Sequence, residues 1–120
     1  MTKRILVVDD DVPIVEGLTY LLEDAGYIVE TCTDGSFIYK KYNSNKPDLI
    51  LLDYMLPGEN GGDLTRKLKS KNNTKNIPVI IISASHNIEE NVFRAGADDF
   101  IPKPYDIYEL LDTIERHLIK

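Results

Sequence analysis

The 120-residue chain has one cysteine, no apolar run of membrane length and fewer cations than anions. Each shortage excludes something. Cys32 alone can close neither an internal disulfide nor a cysteine metal cluster, so its simplest role is that of a small core residue in a reducing compartment. A membrane helix needs roughly 20 consecutive apolar residues, and none of the aliphatic runs approaches that length. Residues 1–4 lead into only a handful of aliphatics, so no secretory leader is predicted and a cytoplasmic location is expected. The formal net charge of -6 argues against this chain gripping nucleic acid by itself, because such binding is driven by neutralising phosphates. DNA contact would need another domain. Repeats and low-complexity stretches are also missing, and residues 1–120 are expected to form one folded domain.

What the chain does have is alternation. Short apolar runs at 4–8, 28–32, 48–52, 77–82 and 98–101 read as strands. Between them, Ile14, Leu18, Leu21, Leu22 and Ala25 recur at helical spacing, as do Ile88, Val92 and Ala95, and Ile107, Leu110, Leu111, Ile114 and Leu118. Weaker helical patterns cover 36–43 and 62–69, and Gly26 and Gly96 stand where helix C-terminal glycines belong. Five strand-then-helix repeats predict an α/β fold, a parallel sheet with helices on both faces joined by right-handed crossovers. The runs "ILVV", "LILL" and "VIII" are apolar throughout, as strands covered on both faces should be. By contrast, "IVETC" and "DDFIP" mix in polar residues and a proline, which marks edges. The predicted order is 2-1-3-4-5, the flavodoxin-like (βα)5 arrangement.

In such sheets the site lies beyond the carboxyl ends of the strands, where the strand order reverses. The first strand delivers Asp9 and Asp10 there, the third Asp53, the fourth Ser83 and the fifth Lys103. Clustered carboxylates repel and raise one another's pKa, so the run Asp9-Asp10-Asp11 needs an offsetting charge. A hard divalent cation such as Mg2+ supplies one, since it favours carboxylate oxygens together with water and a phosphate oxygen. Lys103 and Ser83 could take the remaining oxygens of a phosphoryl group placed in line with Asp53. Asp11, close to the start of the first helix, is expected to bind its free amides.

The segments "VVDD" (7–10), "LLDYMLPGENG" (51–61), "ISAS" (82–85) and "AGADDFIPKPYDIYEL" (95–110) together resemble the receiver domain of two-component response regulators. Single pieces are weak signals; four in order on the right strand ends are strong. The resemblance implies that Asp53 accepts a phosphoryl group from the phosphohistidine of a sensor histidine kinase or phosphotransfer protein. Asp10 would bind Mg2+ directly, Asp9 would assist, and the Met55 carbonyl would add a ligand. Ser83 and Lys103 would draw toward the phosphoryl group, with Phe100 as the switch aromatic, acting by ring burial alone because it lacks a hydroxyl. The Lys103–Pro104 bond is expected to be cis. Output would leave through the fourth helix, fifth strand and fifth helix, by a homodimer or by contact with an attached or separate effector. In the DNA-binding subfamily that dimerises there, an arginine usually stands where this chain has Thr113, a departure that counts against that particular dimer.

Two other readings compete. Haloacid-dehalogenase-like phosphatases also combine an Asp nucleophile with Mg2+, a hydroxyl and a lysine, and Asp9-x-Asp11 suits them. Their nucleophile follows the first strand, however, leaving Asp53 unexplained, and Pro13 occupies the place of an expected Thr or Val. A receiver-like binding module without phosphorylation would be marked by loss of Asp53, Asp10 or Lys103, and all three are present. His86 and His117 are expected to be a loop residue and a helix C-terminal residue, and 69–76 ("KSKNNTKN") a solvated loop.

Overall fold

Side chains on a strand alternate between faces, and here both alternating sets are apolar. Leu6, Val8, Ile50, Leu52, Val79 and Ile81 form one buried layer; Ile5, Val7, Leu49, Leu51, Ile80, Ile82 and Ile101 form the other. Two covered faces require helices on each side. In the structure, a computed structural model describing residues 2–39, 45–85 and 87–119, that is the arrangement. The elements are β1 (Arg4–Val8), α1 (Val12–Asp24), β2 (Ile28–Cys32), a 3-10 turn (Gly35–Tyr39), β3 (Leu49–Asp53), α2 (Gly61–Lys69), β4 (Val79–Ser83), α3 (Glu89–Arg94), β5 (Asp99–Pro102) and α4 (Ile107–Leu118). All four strand pairings are parallel, in the order β2-β1-β3-β4-β5. The first layer meets Phe37, Leu64, Leu68 and Val92, from the 3-10 turn, α2 and α3; the second meets Leu18, Leu22, Leu110 and Ile114, from α1 and α4.

The central strands β3 and β4 are buried at every residue, whereas β2 has only exposed and half-buried positions, as suits an edge strand. Strand boundaries fall within two residues of those expected.

One expectation needs correction and another refinement. Residues 36–43 were expected as a helix, but the chain makes a 3-10 turn over Gly35–Tyr39, and residues 40–43 lie outside the described residues. Asp34 caps the turn: its Oδ1 accepts the Ser36 N–H at 2.9 Å and the Ser36 hydroxyl at 2.6 Å. The segment 69–76 is a turn with five of its eight residues exposed, as expected, but its remaining polar side chains are bound. Lys69 closes α2 and donates to the Ile77 carbonyl at 2.7 Å and to Asp98 Oδ2 at 2.8 Å. Lys71 donates to the Ile38 carbonyl at 2.7 Å, and Thr74, 3% exposed, bonds the Leu68 carbonyl at 2.6 Å. These three side chains satisfy main-chain carbonyls and so pin an otherwise exposed turn to its neighbours.

Candidate functional site

Asp9 follows β1 directly, and its N–H continues the ladder by donating to the Cys32 carbonyl at 3.1 Å. Its side chain is turned inward, where Oδ1 accepts the Asp11 N–H at 2.9 Å. Asp11 in turn caps α1 by accepting the Ile14 N–H at 3.3 Å, the role expected of it. Asp10 stays exposed, while Asp9 and Asp53 are 4% and 8% exposed. One carboxylate oxygen from each of Asp9, Asp10 and Asp53 lies within 4.8 Å of the others. A single oxygen-ligated cation can span that distance, so the donor set fits a hard divalent ion.

The electrostatics show why these groups need positive charge. Burial, and then the charge of Asp9, push the Asp53 carboxyl up to about 6; the Lys103 ammonium and the Met55 N–H, which donates to it, pull the other way, and Asp10 adds to the rise. Lys103 stands between the two buried acids, its Nζ 3.6 Å from Asp53 Oδ1 and 3.7 Å from Asp9 Oδ2. Its N–H donates to the Ser83 carbonyl at 2.9 Å, and the Lys103–Pro104 bond is cis, as the resemblance implied. Ser83 ends β4 and is 1% exposed. Its hydroxyl oxygen accepts the Ser85 N–H at 3.0 Å. Among the described residues, that hydroxyl makes no hydrogen bond to the side chain of Asp53 or Lys103.

Met55 contributes through its backbone; its side chain is 61% exposed. Phe100 is half-buried against the first core layer, alongside Ile88 and Tyr54, and pairs in register with Ile81. One neighbour was missed from the sequence: Tyr105 is half-buried beside α1, its hydroxyl pKa raised by burial, with Lys103 opposing and Asp9 reinforcing the rise. Only its position two residues beyond Lys103 hinted at it. His117 does not simply face the helix dipole, since its Nε2 lies 2.9 Å from Asp99 Oδ2 on β5. His86 lies outside the described residues. Thr113 is buried, its hydroxyl bonding the Glu109 carbonyl at 2.9 Å and accepting from Arg116 at 3.1 Å.

The family model for the response regulator receiver domain matches residues 5–115. The chain belongs to that family. As a receiver it is 39% identical over 117 residues to the phosphate regulon transcriptional regulatory protein PhoB of Escherichia coli strain K12, covering 96% of this chain and 51% of PhoB. This receiver therefore spans about half the length of the curated relatives it matches. Among solved structures, a candidate response regulator from Chloroflexus aurantiacus superposes with a TM-score of 0.91 at 30% identity, covering all of both chains. The response regulator TrrA of Thermotoga maritima, solved in complex with Mg2+ and a beryllium fluoride, gives 0.86 at 31% identity, with 98% of this chain and 100% of that one covered. Membership decides against the dehalogenase-like phosphatase, whose nucleophile would follow β1. Among the described residues of the receiver, no helix is long and apolar enough to cross a membrane.

Proposed function

We propose that residues 1–120 form one receiver domain in which Asp53 accepts a phosphoryl group from the phosphohistidine of a sensor histidine kinase or phosphotransfer protein. The observation that carries this is the convergence of a 4%-exposed Asp9, an 8%-exposed Asp53 and the Lys103 ammonium 3.7 and 3.6 Å from them, from three separate strand ends. In the reaction a carboxylate oxygen of Asp53 attacks phosphorus, the phosphorus–nitrogen bond breaks, and the imidazole leaves with the electron pair and is protonated. Asp9, Asp10, Asp53 and the Met55 carbonyl would hold Mg2+, which supplies positive charge opposite the phosphoryl oxygens when bound. Lys103 neutralises a further oxygen from the side it already occupies. To bond the phosphoryl group, the Ser83 hydroxyl must leave the Ser85 N–H. The domain so described modifies only itself, by phosphorylation and later hydrolysis, and acts in signalling in the cytoplasm.

Output follows from the added charge. A phosphoryl group brings about -1.5 to -2 charge, which draws Ser83 and Lys103 inward. Movement of Ser83 at the end of β4 frees space beside Phe100 on β5, and ring burial there shifts α3, β5 and α4 between two packings. That face then meets an effector, attached or separate, or a second copy. With Thr113 buried and already hydrogen-bonded, an effector contact suits this chain better than the dimer that uses an arginine at that position.

Incubation with acetyl phosphate and Mg2+, followed by mapping of the added phosphoryl mass, tests the reading. Label on Asp53, lost in Asp53→Asn, is expected. Label on Asp9, or none in a folded protein that binds Mg2+, overturns it.

A further inference from the structure

Gly61 opens α2, and no positive φ requires a glycine there. Space does. A Cβ at this position would lie 2.9 Å from the Asp53 carbonyl oxygen and 2.9 Å from Tyr54 Cα, both backbone atoms with little freedom to yield. At the neighbouring Gly62 a Cβ would meet only side-chain atoms, Asn60 Oδ1 at 3.2 Å and Tyr54 Cε1 at 3.5 Å. The first turn of α2 is thus seated against the main chain of the phosphoacceptor strand end, and residue 61 is the contact point.

That seat holds one particular peptide group. The Gly61 N–H donates to the Tyr54 carbonyl at 2.8 Å, and the Met55 N–H donates to the Asp53 carboxylate. The Tyr54 carbonyl and the Met55 N–H belong to the same planar peptide unit, and in a trans peptide they point in opposite directions. Fixing the carbonyl therefore aims the N–H. Gly61 is itself clamped: the hydroxyl of Thr65, a buried residue, donates to the Gly61 carbonyl at 2.7 Å, and the Asn60 side chain caps the helix through the Asp63 N–H at 2.9 Å. On its other side the strand end is tied down by the Tyr54 N–H, which donates to the Ile82 carbonyl at 3.0 Å.

We infer that Gly61 is a positioning residue for phosphoryl acceptance: by lacking a side chain it lets α2 grip the Tyr54–Met55 peptide and so aims the Met55 N–H at the Asp53 carboxylate. The inference rests on Asp53 as phosphoacceptor. The same peptide precedes the Met55 carbonyl assigned to the cation, so misplacing it disturbs both the nucleophile and the ligand set. Adding a methyl group at residue 61 pushes α2 and this peptide apart, whereas one at residue 62 presses only on the side chains of Asn60 and Tyr54, which can give way without moving the peptide.

The test compares Gly61→Ala, Gly62→Ala and Thr65→Val by amide hydrogen exchange at Met55 in metal-free buffer, by Mg2+ affinity, and by the rate of labelling from acetyl phosphate. In Gly61→Ala the Met55 amide should exchange at least tenfold faster, and Mg2+ affinity and labelling rate should each fall about tenfold or more. Gly62→Ala should stay within about twofold of the parent in all three. Thr65→Val, which removes the clamp at nearly constant volume, should move in the same direction as Gly61→Ala by a smaller factor, and it decides the matter if Gly61→Ala does not fold. Parental Met55 protection in folded Gly61→Ala, equal losses in the two glycine variants, or an unchanged Thr65→Val when Gly61→Ala is unfolded would each overturn the inference. Met55 exchange is read without phosphorylation, so failure here is distinct from failure to label Asp53 in the parent protein.

Discussion

Asp53 is held in a place that opposes its ionisation. Burial and Asp9 raise its pKa to about 6, from an unfolded value near 4. Between those two values the folded state binds a proton that the unfolded state has released, so stability must fall as pH rises from about 4 to about 6 and then level off. Asp53→Asn removes that slope, and at pH 7 it should stabilise the metal-free protein by on the order of 2–3 kcal/mol, the worth of a shift of about two units. Urea unfolding of both proteins from pH 4.5 to 7.5 in chelator reads the difference; parallel profiles would refute it. The positions of Asp9, Asp10, Asp53, Ser83 and Lys103 were legible beforehand, because each stands at or just beyond the end of an apolar strand run. The bond between Ser83 and the Ser85 N–H was not legible, and neither was the contact of Gly61 with Asp53. Hydroxyl orientation and backbone approach depend on three-dimensional distances that leave no periodic trace.

Elements follow the same division. Helices with strong apolar stripes, α1 and α4, lie where Leu18, Leu22, Leu110 and Ile114 predicted them, since burying a stripe is what stabilises a helix of this length. The segment 36–43 has a weaker stripe, and its described part, Gly35–Tyr39, closes only as a 3-10 turn that buries Phe37 and Ile38. Residues 69–76 are mostly exposed, as their polarity suggested, but Lys69 is not. It reaches from α2 to Asp98, just ahead of β5, and Asp98 Oδ2 receives both its ammonium and the Val79 N–H, each at 2.8 Å. Asp98→Ala strips partners from a backbone donor and a largely covered ammonium at once. Loss of a buried hydrogen-bond partner costs about 1–3 kcal/mol, and thermal unfolding of this variant should show a loss in the upper half of that range. Lys69→Met keeps most of the packing and leaves Val79 satisfied, so it should cost less. A larger loss in Lys69→Met than in Asp98→Ala would show that the ammonium, through its bond to the Ile77 carbonyl, and not the carboxylate, secures the corner.

At the scale of the whole molecule, the order β2-β1-β3-β4-β5 is what turns a scattered sequence into a site. Asp9 and Asp53 are 44 positions apart, yet β1 and β3 are neighbours, with Val8 opposite Leu52, so the residues that follow emerge side by side. Strand order was readable because edge and centre differ in polarity, as "IVETC" against "LILL" shows. The same topology concentrates negative charge at one rim of a chain already at -6. A ligand that binds only the folded state stabilises it by mass action, about 2.7 kcal/mol at a hundredfold excess over Kd. Mg2+ should therefore raise the melting temperature by several degrees, and at matched ionic strength sodium chloride should raise it far less, since screening does not replace coordination. In Asp10→Ala, which removes an exposed carboxylate that no core packing depends on, the Mg2+ increment should shrink by at least half while the metal-free melting temperature stays close to that of the parent. An equal increment in the parent and in Asp10→Ala would mean that the ion acts by screening alone, and the three acids would then be neighbours rather than a coordination site.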